Sequence, residues 1–229
     1  MPEQSYPGTE LDLFAEALNW KRYLRRMLAG YLQGRVLEVG AGIGATTRVL
    51  RENHNGEWVC LEPDPELSAR ARVPSGVTWK RGNLIDIPAL ELFDCILYMD
   101  VLEHIADDRL ELERARDHLN ANGVIVVAAP AHQSLYSPFD GRIGHYRRYD
   151  KATILQASPE GVVMETLRYM DAAGLLASAG NRVLLRQSDP SLAQVLFWDR
   201  VLVPCSRVLD RLLGYRIGKS ILAVWRRSP

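Results

Sequence analysis

RVLEVGAGIGATT, residues 35–47, carries an apolar run into three glycines, Gly40, Gly42 and Gly44, and then into residues that suit a helix. A strand, a glycine turn and a helix in that order make a nucleoside-binding turn, because glycine lets the backbone bend sharply and lets a ligand approach the main chain. Residues 40–45 also satisfy Gly-x-Gly-x-x-Gly/Ala, so the glycines alone do not separate a dinucleotide from another nucleoside.

Outward from this turn, short apolar runs alternate with helical segments. RVLEVG (35–40), EWVCLE (57–62), VTWKRG (77–82), FDCILYMD (93–100) and GVIVVAA (123–129) read as strands. Helices are expected over 46–53, 65–72 and 109–119, with another from about Lys151. Continuous apolar strands separated by helices mean a parallel sheet covered on both faces. VVMETLRYM (162–170) and SILAVWRR (220–227) read as two further strands with about fifty residues between them, too many for a structureless loop. Helices near 175–186 and 192–213, broken at Ser188–Pro190, would fill that gap. Residues 9–33 read as one helix ended by Gly34, with leucines at helical spacing. The expected domains are an N-terminal lid helix over 1–34, a nucleoside-binding domain over 35–170 and 219–229, and a helical cap inserted at 171–218.

The whole chain narrows the function classes. Its 229 residues are 47% hydrophobic, and 28 Lys plus Arg balance 28 Asp plus Glu. A dedicated nucleic-acid binder carries excess cations, so that class is not expected. Cys60, Cys95 and Cys205 lack metal-ligand or disulfide spacing, and no metal site is expected. The N-terminal residues lack a signal-peptide pattern and no apolar run reaches the ~20 residues that span a bilayer, so a cytoplasmic protein is expected. Oligomeric state is not legible in the sequence.

Three acidic and amide positions refine the ligand. Glu38 sits two residues before Gly40, where a carboxylate repels a pyrophosphate and favours a cationic group. Glu62, ending the second strand, suits two ribose hydroxyls, and Asn83 past the third strand suits the edge of an adenine. The Tyr215-x-x-x-Lys219 pair, the spacing of a hydride-transfer site, is read as chance, at the edge of the final strand and away from the carboxyl ends of the sheet.

VLEVGAGIG, LEPDP, GNL, FDCILYMDVLEHIADD and LNANGVIVVAAP, in this order, resemble the class I S-adenosylmethionine-dependent methyltransferases. LYSPFDGRIGHYRRYDK and the C-terminal IGKSILAVWRR resemble a bacterial subgroup with a helical insertion before the last strand. The resemblance implies a Rossmann-like, doubly wound α/β sheet of seven strands in order 3-2-1-4-5-7-6, the seventh antiparallel. It implies S-adenosylmethionine as cofactor, with Gly40, Gly42 and Gly44 around its methionine portion and Glu38 nearby. Glu62 would bind the ribose, Pro63 and Asp64 would lie against the adenine, and Asn83 and Leu84 would border it. Met99, Asp100 and Val101 would line the cofactor from the fourth strand end, with His104 as a neighbour. Trp20 and Tyr23 read either as core residues or as a lid over the sulfonium.

The chemistry expected is in-line displacement at the sulfonium methyl by a small-molecule acceptor. Candidates for a base are His132, His145, Tyr136 and Asp140, with His132 first because it follows the fifth strand directly. Tyr146, Arg147, Arg148 and Tyr149 are candidates for substrate contact, although adjacent arginines diverge and at least one should be structural, paired with Asp140 or Asp150. The stretch 137–151 is expected to be a loop hinged at Gly141 and Gly144. Glu103 reads as decoration of a helix N-terminus. Three alternatives stand beside this reading: displacement at another sulfonium carbon, an NAD-dependent oxidoreductase, and a non-enzymatic module using VLFWDRVLVP (195–204).

Overall fold

The computed structural model describes residues 9–184 and 190–228. Part of the expected lid segment and the expected break at Ser188 lie outside them.

The sheet has seven strands: β1 (Val36–Val39), β2 (Trp58–Glu62), β3 (Val77–Arg81), β4 (Phe93–Met99), β5 (Leu119–Pro130), β6 (Val162–Met170) and β7 (Ser220–Arg227). Their spatial order is β3-β2-β1-β4-β5-β7-β6, as the resemblance implied. The pairs from β3 to β5 are parallel, while β7 runs antiparallel to both β5 and β6. β1 and β2 are buried along their whole length, as strands covered on both faces must be. The edge strands β3 and β6 are only partly buried.

Alternation of side chains across the pleat divides the core in two. On one face Leu37, Val39, Tyr98, Ile125 and Trp225 pack with α5 (Asp108–Asp117) and α7 (Lys151–Gln156), through Leu112, Ala115 and Ile154. On the other, Val36, Cys60, Leu97, Val126 and Val224 pack with Trp20, Leu24 and Leu28. Each fully buried Leu, Ile or Val there contributes ~1.5–3 kcal/mol.

The N-terminal segment is two helices, α1 (Thr9–Ala15) and α2 (Leu18–Leu28), rather than the single helix expected. The break has a cause. The buried Lys21 ammonium donates to the carbonyls of Phe14, Ala15 and Ala17, closing the end of α1. Burial lowers its pKa to about 8, against the pull of Asp199. The segment turns after Leu28, well before Gly34, as Tyr31 N–H donates to the Leu28 carbonyl at 2.8 Å.

Sheet-side connections are α3 (Ala45–Leu50) after the glycine turn and α4 (Pro65–Arg70) after β2. After β5 a one-and-a-half-turn helix, α6 (Pro138–Arg142), opens the stretch expected as a loop. The insertion comprises α8 (Ala172–Leu184), α9 (Leu192–Phe197), a π turn over Trp198–Leu202, and α10 (Val203–Leu212). Its polar side chains dock inward. Asp199 accepts from Asn19 N–H at 3.1 Å and Trp20 N–H at 2.8 Å, capping α2, which lacks a cap of its own. Asp210 accepts from Tyr23 Oη at 2.9 Å and from the Asp171 and Ala172 N–H groups at 2.8 and 2.9 Å. Asp171 in turn accepts from Trp198 Nε1 and Ser206 Oγ, both at 2.7 Å.

Candidate active site at the carboxyl ends of the strands

A cavity of about 1100 Å³ opens where β1, β4 and β5 end. It exceeds the ~300–1,000 Å³ of an ordinary ligand pocket, leaving room for a cofactor and a second ligand. Its floor is the glycine turn with Met99 and Asp100, its roof Phe14, Trp20, Phe197 and Trp198, and its far wall the 135–148 stretch.

The glycine turn is built for close approach. Gly40 has φ 67°, and a Cβ there would lie 2.7 Å from Val101 Cγ2. Glu62 holds the turn: one carboxylate oxygen accepts from Gly42 N–H at 2.7 Å and the other from Asp64 N–H at 2.9 Å. Desolvation raises its pKa, opposed by those two bonds. Glu38 is buried, accepts from Trp58 Nε1 at 3.0 Å, and has its pKa pushed up to about 7 by burial. Asp100, in the left-handed region at φ 56°, reaches into the cavity; desolvation raises its pKa to about 6 while His145, Lys21 and Lys219 hold it down. Glu38, Gly40, Gly42, Met99, Asp100, His104 and Trp20 all line this space.

Other expected cofactor residues lie beside it. Gly44 sits at φ 77° behind the turn, against Val73 and Arg72. Val101 packs on Gly40, and Leu84 is buried in the core. Pro63, Asp64 and Asn83 follow the ends of β2 and β3, where Asp64 caps α4 and Asn83 is exposed in a capping box with Asp86. Tyr23 is a correction to the lid reading: its hydroxyl is bound to Asp210, and it packs edge-on against Trp20 with centroids 6.0 Å apart.

The wall is organised by Asp140. Fully buried, it accepts from Ser137 N–H and Oγ at 2.8 Å each, His145 Nδ1 at 3.0 Å, Arg148 Nε at 2.8 Å and Arg148 Nη2 at 3.0 Å. Its pKa lies well below the ordinary carboxylate value: desolvation raises it, but the bonds from His145 and Arg148 outweigh that. Every carboxylate oxygen is engaged, so the expectation of Asp140 as a base is corrected to a positioning role. Tyr136 Oη donates to the His145 carbonyl at 2.6 Å. His145, Tyr136 and Arg148 line the cavity.

Four further expectations change. His132, the first choice for a base, points away from the cavity, its Nε2 2.9 Å from the Gly218 carbonyl and its ring stacked on Tyr169 at 4.8 Å. Arg147 turns outward to the Ile105 and Ala106 carbonyls and pairs with Asp108 at 2.8 Å. Tyr149 is buried and donates to Asp108 at 2.7 Å, while Tyr146 is exposed. Gly141 lies within α6 instead of forming a hinge; only Gly144, at φ 82°, is left-handed.

Two cavity residues were passed over in the sequence. Glu103 is fully buried and lines the cavity beside His104 and His145. Lys219 lines it as well, because antiparallel β7 begins where β5 ends, Ser220 pairing with Pro130. Desolvation lowers its pKa, opposed first by Asp171. Tyr215 is not part of the lining; its ring lies under Arg168 at 4.8 Å, so no Tyr–Lys dyad faces the cavity.

A family model described as a methyltransferase domain matches residues 37–125, from the first strand to the fifth. Over that stretch the chain is similar to methyltransferases. The match includes the glycine turn, Glu62 and Glu103. A ubiquinone biosynthesis O-methyltransferase of Azorhizobium caulinodans is 30% identical over 100 residues, 41% of this chain and 39% of that protein. The chain therefore matches about two fifths of the length of that methyltransferase. An S-adenosylmethionine-dependent methyltransferase from Mesorhizobium loti superposes with TM-score 0.60 and 19% identity, over 93% of this chain and 99% of that one. A phosphoethanolamine N-methyltransferase of Haemonchus contortus, solved with phosphomonomethylethanolamine and S-adenosylhomocysteine, gives TM-score 0.64 at 14% identity, over 99% and 58%. At these identities the likeness is one of fold. No helix among the described residues is long and apolar enough to cross a membrane.

Proposed function

We propose that the chain transfers the cofactor's methyl group to a small-molecule acceptor bearing an anionic group. The observation that carries this is a cavity lined by charges of both signs: Glu38 and Asp100 at the glycine turn, with Lys219 and Arg148 also in its lining. The carboxylates suit a ligand with cationic groups. Bound there, the sulfonium supplies a methyl carbon already activated for displacement, so the protein's work is alignment and exclusion of water. Glu62 and the glycine turn would hold the nucleoside. Trp20, Phe197 and Trp198 would shield the site, Trp20 and Trp198 packing with centroids 5.7 Å apart. Arg148 is committed to Asp140, whereas the Lys219 ammonium, near Asp171 and 6.0 Å from the Trp198 ring, has no ion pair among the described residues and is the better anchor for an anion.

The Tyr215 placement disfavours the oxidoreductase, and the burial of Val195 and the packing of Trp198 on Trp20 disfavour a membrane-surface use of 195–204. Calorimetry should give one site for S-adenosylhomocysteine and none for NAD; the opposite pattern would refute the cofactor assignment. Glu62→Ala should weaken S-adenosylhomocysteine binding by ~2 kcal/mol, the scale of charge-assisted hydrogen bonds. An unchanged dissociation constant would remove Glu62 from the nucleoside site.

The acceptor class is tested by mass spectrometry of products from labelled cofactor, across small acceptors with and without a carboxylate or phosphate. Lys219→Ala should raise KM for anionic acceptors ~10-fold or more, the cost of one charged hydrogen bond, with cofactor affinity unchanged. Equal KM values for wild type and variant would exclude Lys219 as the anion anchor.

A further inference from the structure

Glu103 is the least satisfied group in the described structure. Its side chain is fully buried, and apart from its own backbone N–H its carboxylate oxygens meet no hydrogen-bond donor. An uncompensated buried carboxylate is costly, so a native chain retains one where a partner arrives. Two imidazoles flank it. His145 Nε2 stands 3.8 Å from Glu103 Oε1, and the His104 and His145 rings meet edge to face with centroids 4.5 Å apart. One donor atom from each of Glu103, His104 and His145 lies within 4.8 Å of the others.

We infer that Glu103, His104 and His145 bind one first-row divalent transition metal ion in the cavity wall. The donor set, two imidazoles and one carboxylate, suits zinc, iron(II), cobalt(II) or manganese(II) and leaves positions open for ligands from the cavity. Donors held ~2.0–2.2 Å from a tetrahedral zinc are roughly 3.4 Å apart, so a trio within 4.8 Å needs to converge by about 1.4 Å at most. The surroundings match what a histidine ligand requires. His145 gives Nδ1 to Asp140, which fixes Nε2 toward Glu103, and the His104 ring engages the Gly144 backbone. Asp140, so well bonded that it is a poor base, thereby gains a purpose as the orienting carboxylate. This inference replaces the expectation of no metal site.

The ion would stand on the same cavity wall as Tyr136 and Arg148. If the transferase reading holds, it would coordinate an oxygen of the acceptor, favouring chelating acceptors such as adjacent hydroxyl and carboxylate or two neighbouring phenolic hydroxyls. Metal binding itself does not depend on that reading.

The test is titration of the chelator-stripped, full-length chain with Co²⁺, followed by visible ligand-field absorption. One equivalent should bind, and added Zn²⁺ should displace it. Glu103→Gln and His145→Ala should each abolish saturable binding, and Asp140→Asn should weaken it ~10–100-fold. His54→Ala, in a histidine hydrogen-bonded to the Leu32 and Gly34 carbonyls outside the cavity, should leave it unchanged. A second readout needs no variant: Zn²⁺ should protect His104 and His145 of the wild type from diethyl pyrocarbonate, mapped by peptide mass spectrometry. Absence of saturable Co²⁺ binding, or equal modification of both histidines with and without Zn²⁺, would overturn the inference. Because S-adenosylhomocysteine affinity is measured separately, its loss would indict the cofactor reading and leave this one standing.

Discussion

Asp140→Ala is expected to lower the free energy of unfolding by about 3–5 kcal/mol, the range for stripping one partner from a buried ion pair. The Arg148 guanidinium, its side chain 11% exposed, would lose both bonds to Asp140 and remain largely buried beside the cavity. Ser137 would lose the capping box that starts α6, and His145 the acceptor that orients it. Asp140→Asn should fall between wild type and alanine, because the amide keeps one acceptor oxygen but turns an N–H₂ toward donors. Urea titration followed by far-ultraviolet circular dichroism measures both. A midpoint for the alanine variant within error of wild type would show that the wall folds without its carboxylate.

The second large effect is at Asp210. Its carboxylate, fully buried, joins Tyr23 of α2, the first turn of α8, and α10 itself. Alanine there removes three acceptor contacts at once, and about 3 kcal/mol is expected, less than three independent charged bonds because the contacts share one side chain. Tyr23→Phe deletes only one donor and should cost about 1 kcal/mol. Hydrogen exchange would locate the damage: amide protection should fall in α2 and at the start of α8 while the centre of β4 and β5 keeps its own. Uniform loss would mean that the insertion and the sheet unfold as one unit.

The sheet was legible because its signals are local. The first four apolar runs end in a glycine or an acid, at Gly40, Glu62, Gly82 and Asp100, and β1 and β2 bury every side chain, so periodicity and burial agree. The glycine turn and Glu62 were legible for the same reason, and the expectation that Arg147 and Arg148 diverge holds in their separate partners, Asp108 and Asp140. What escaped the sequence were polar side chains whose meaning depends on distant chain. Asp171, Asp199 and Asp210 look like solvated positions on helices, yet each caps a helix or binds an indole across the insertion. Glu103 resembles dipole decoration until its burial is seen. Lys219 was discounted by taking the start of the last strand for the wrong end of the sheet; strand direction, which no local pattern records, brings it beside Pro130.

The placement of β7 also orders events in time. It is seventh along the chain but lies between β5 and β6, and it bonds to both over its full length. Until residues 220–227 arrive, β5 and β6 have no partner on their facing sides and present open hydrogen-bonding edges. Closing the connection from Met170 to Ser220 costs about 3 kcal/mol of chain entropy if the insertion is still unstructured, and less once its helices have paired. The insertion therefore acts as a folding adaptor, delivering the final strand to a gap that the rest of the sheet holds open, and the half-made protein is most exposed to edge-to-edge aggregation just before that strand is inserted.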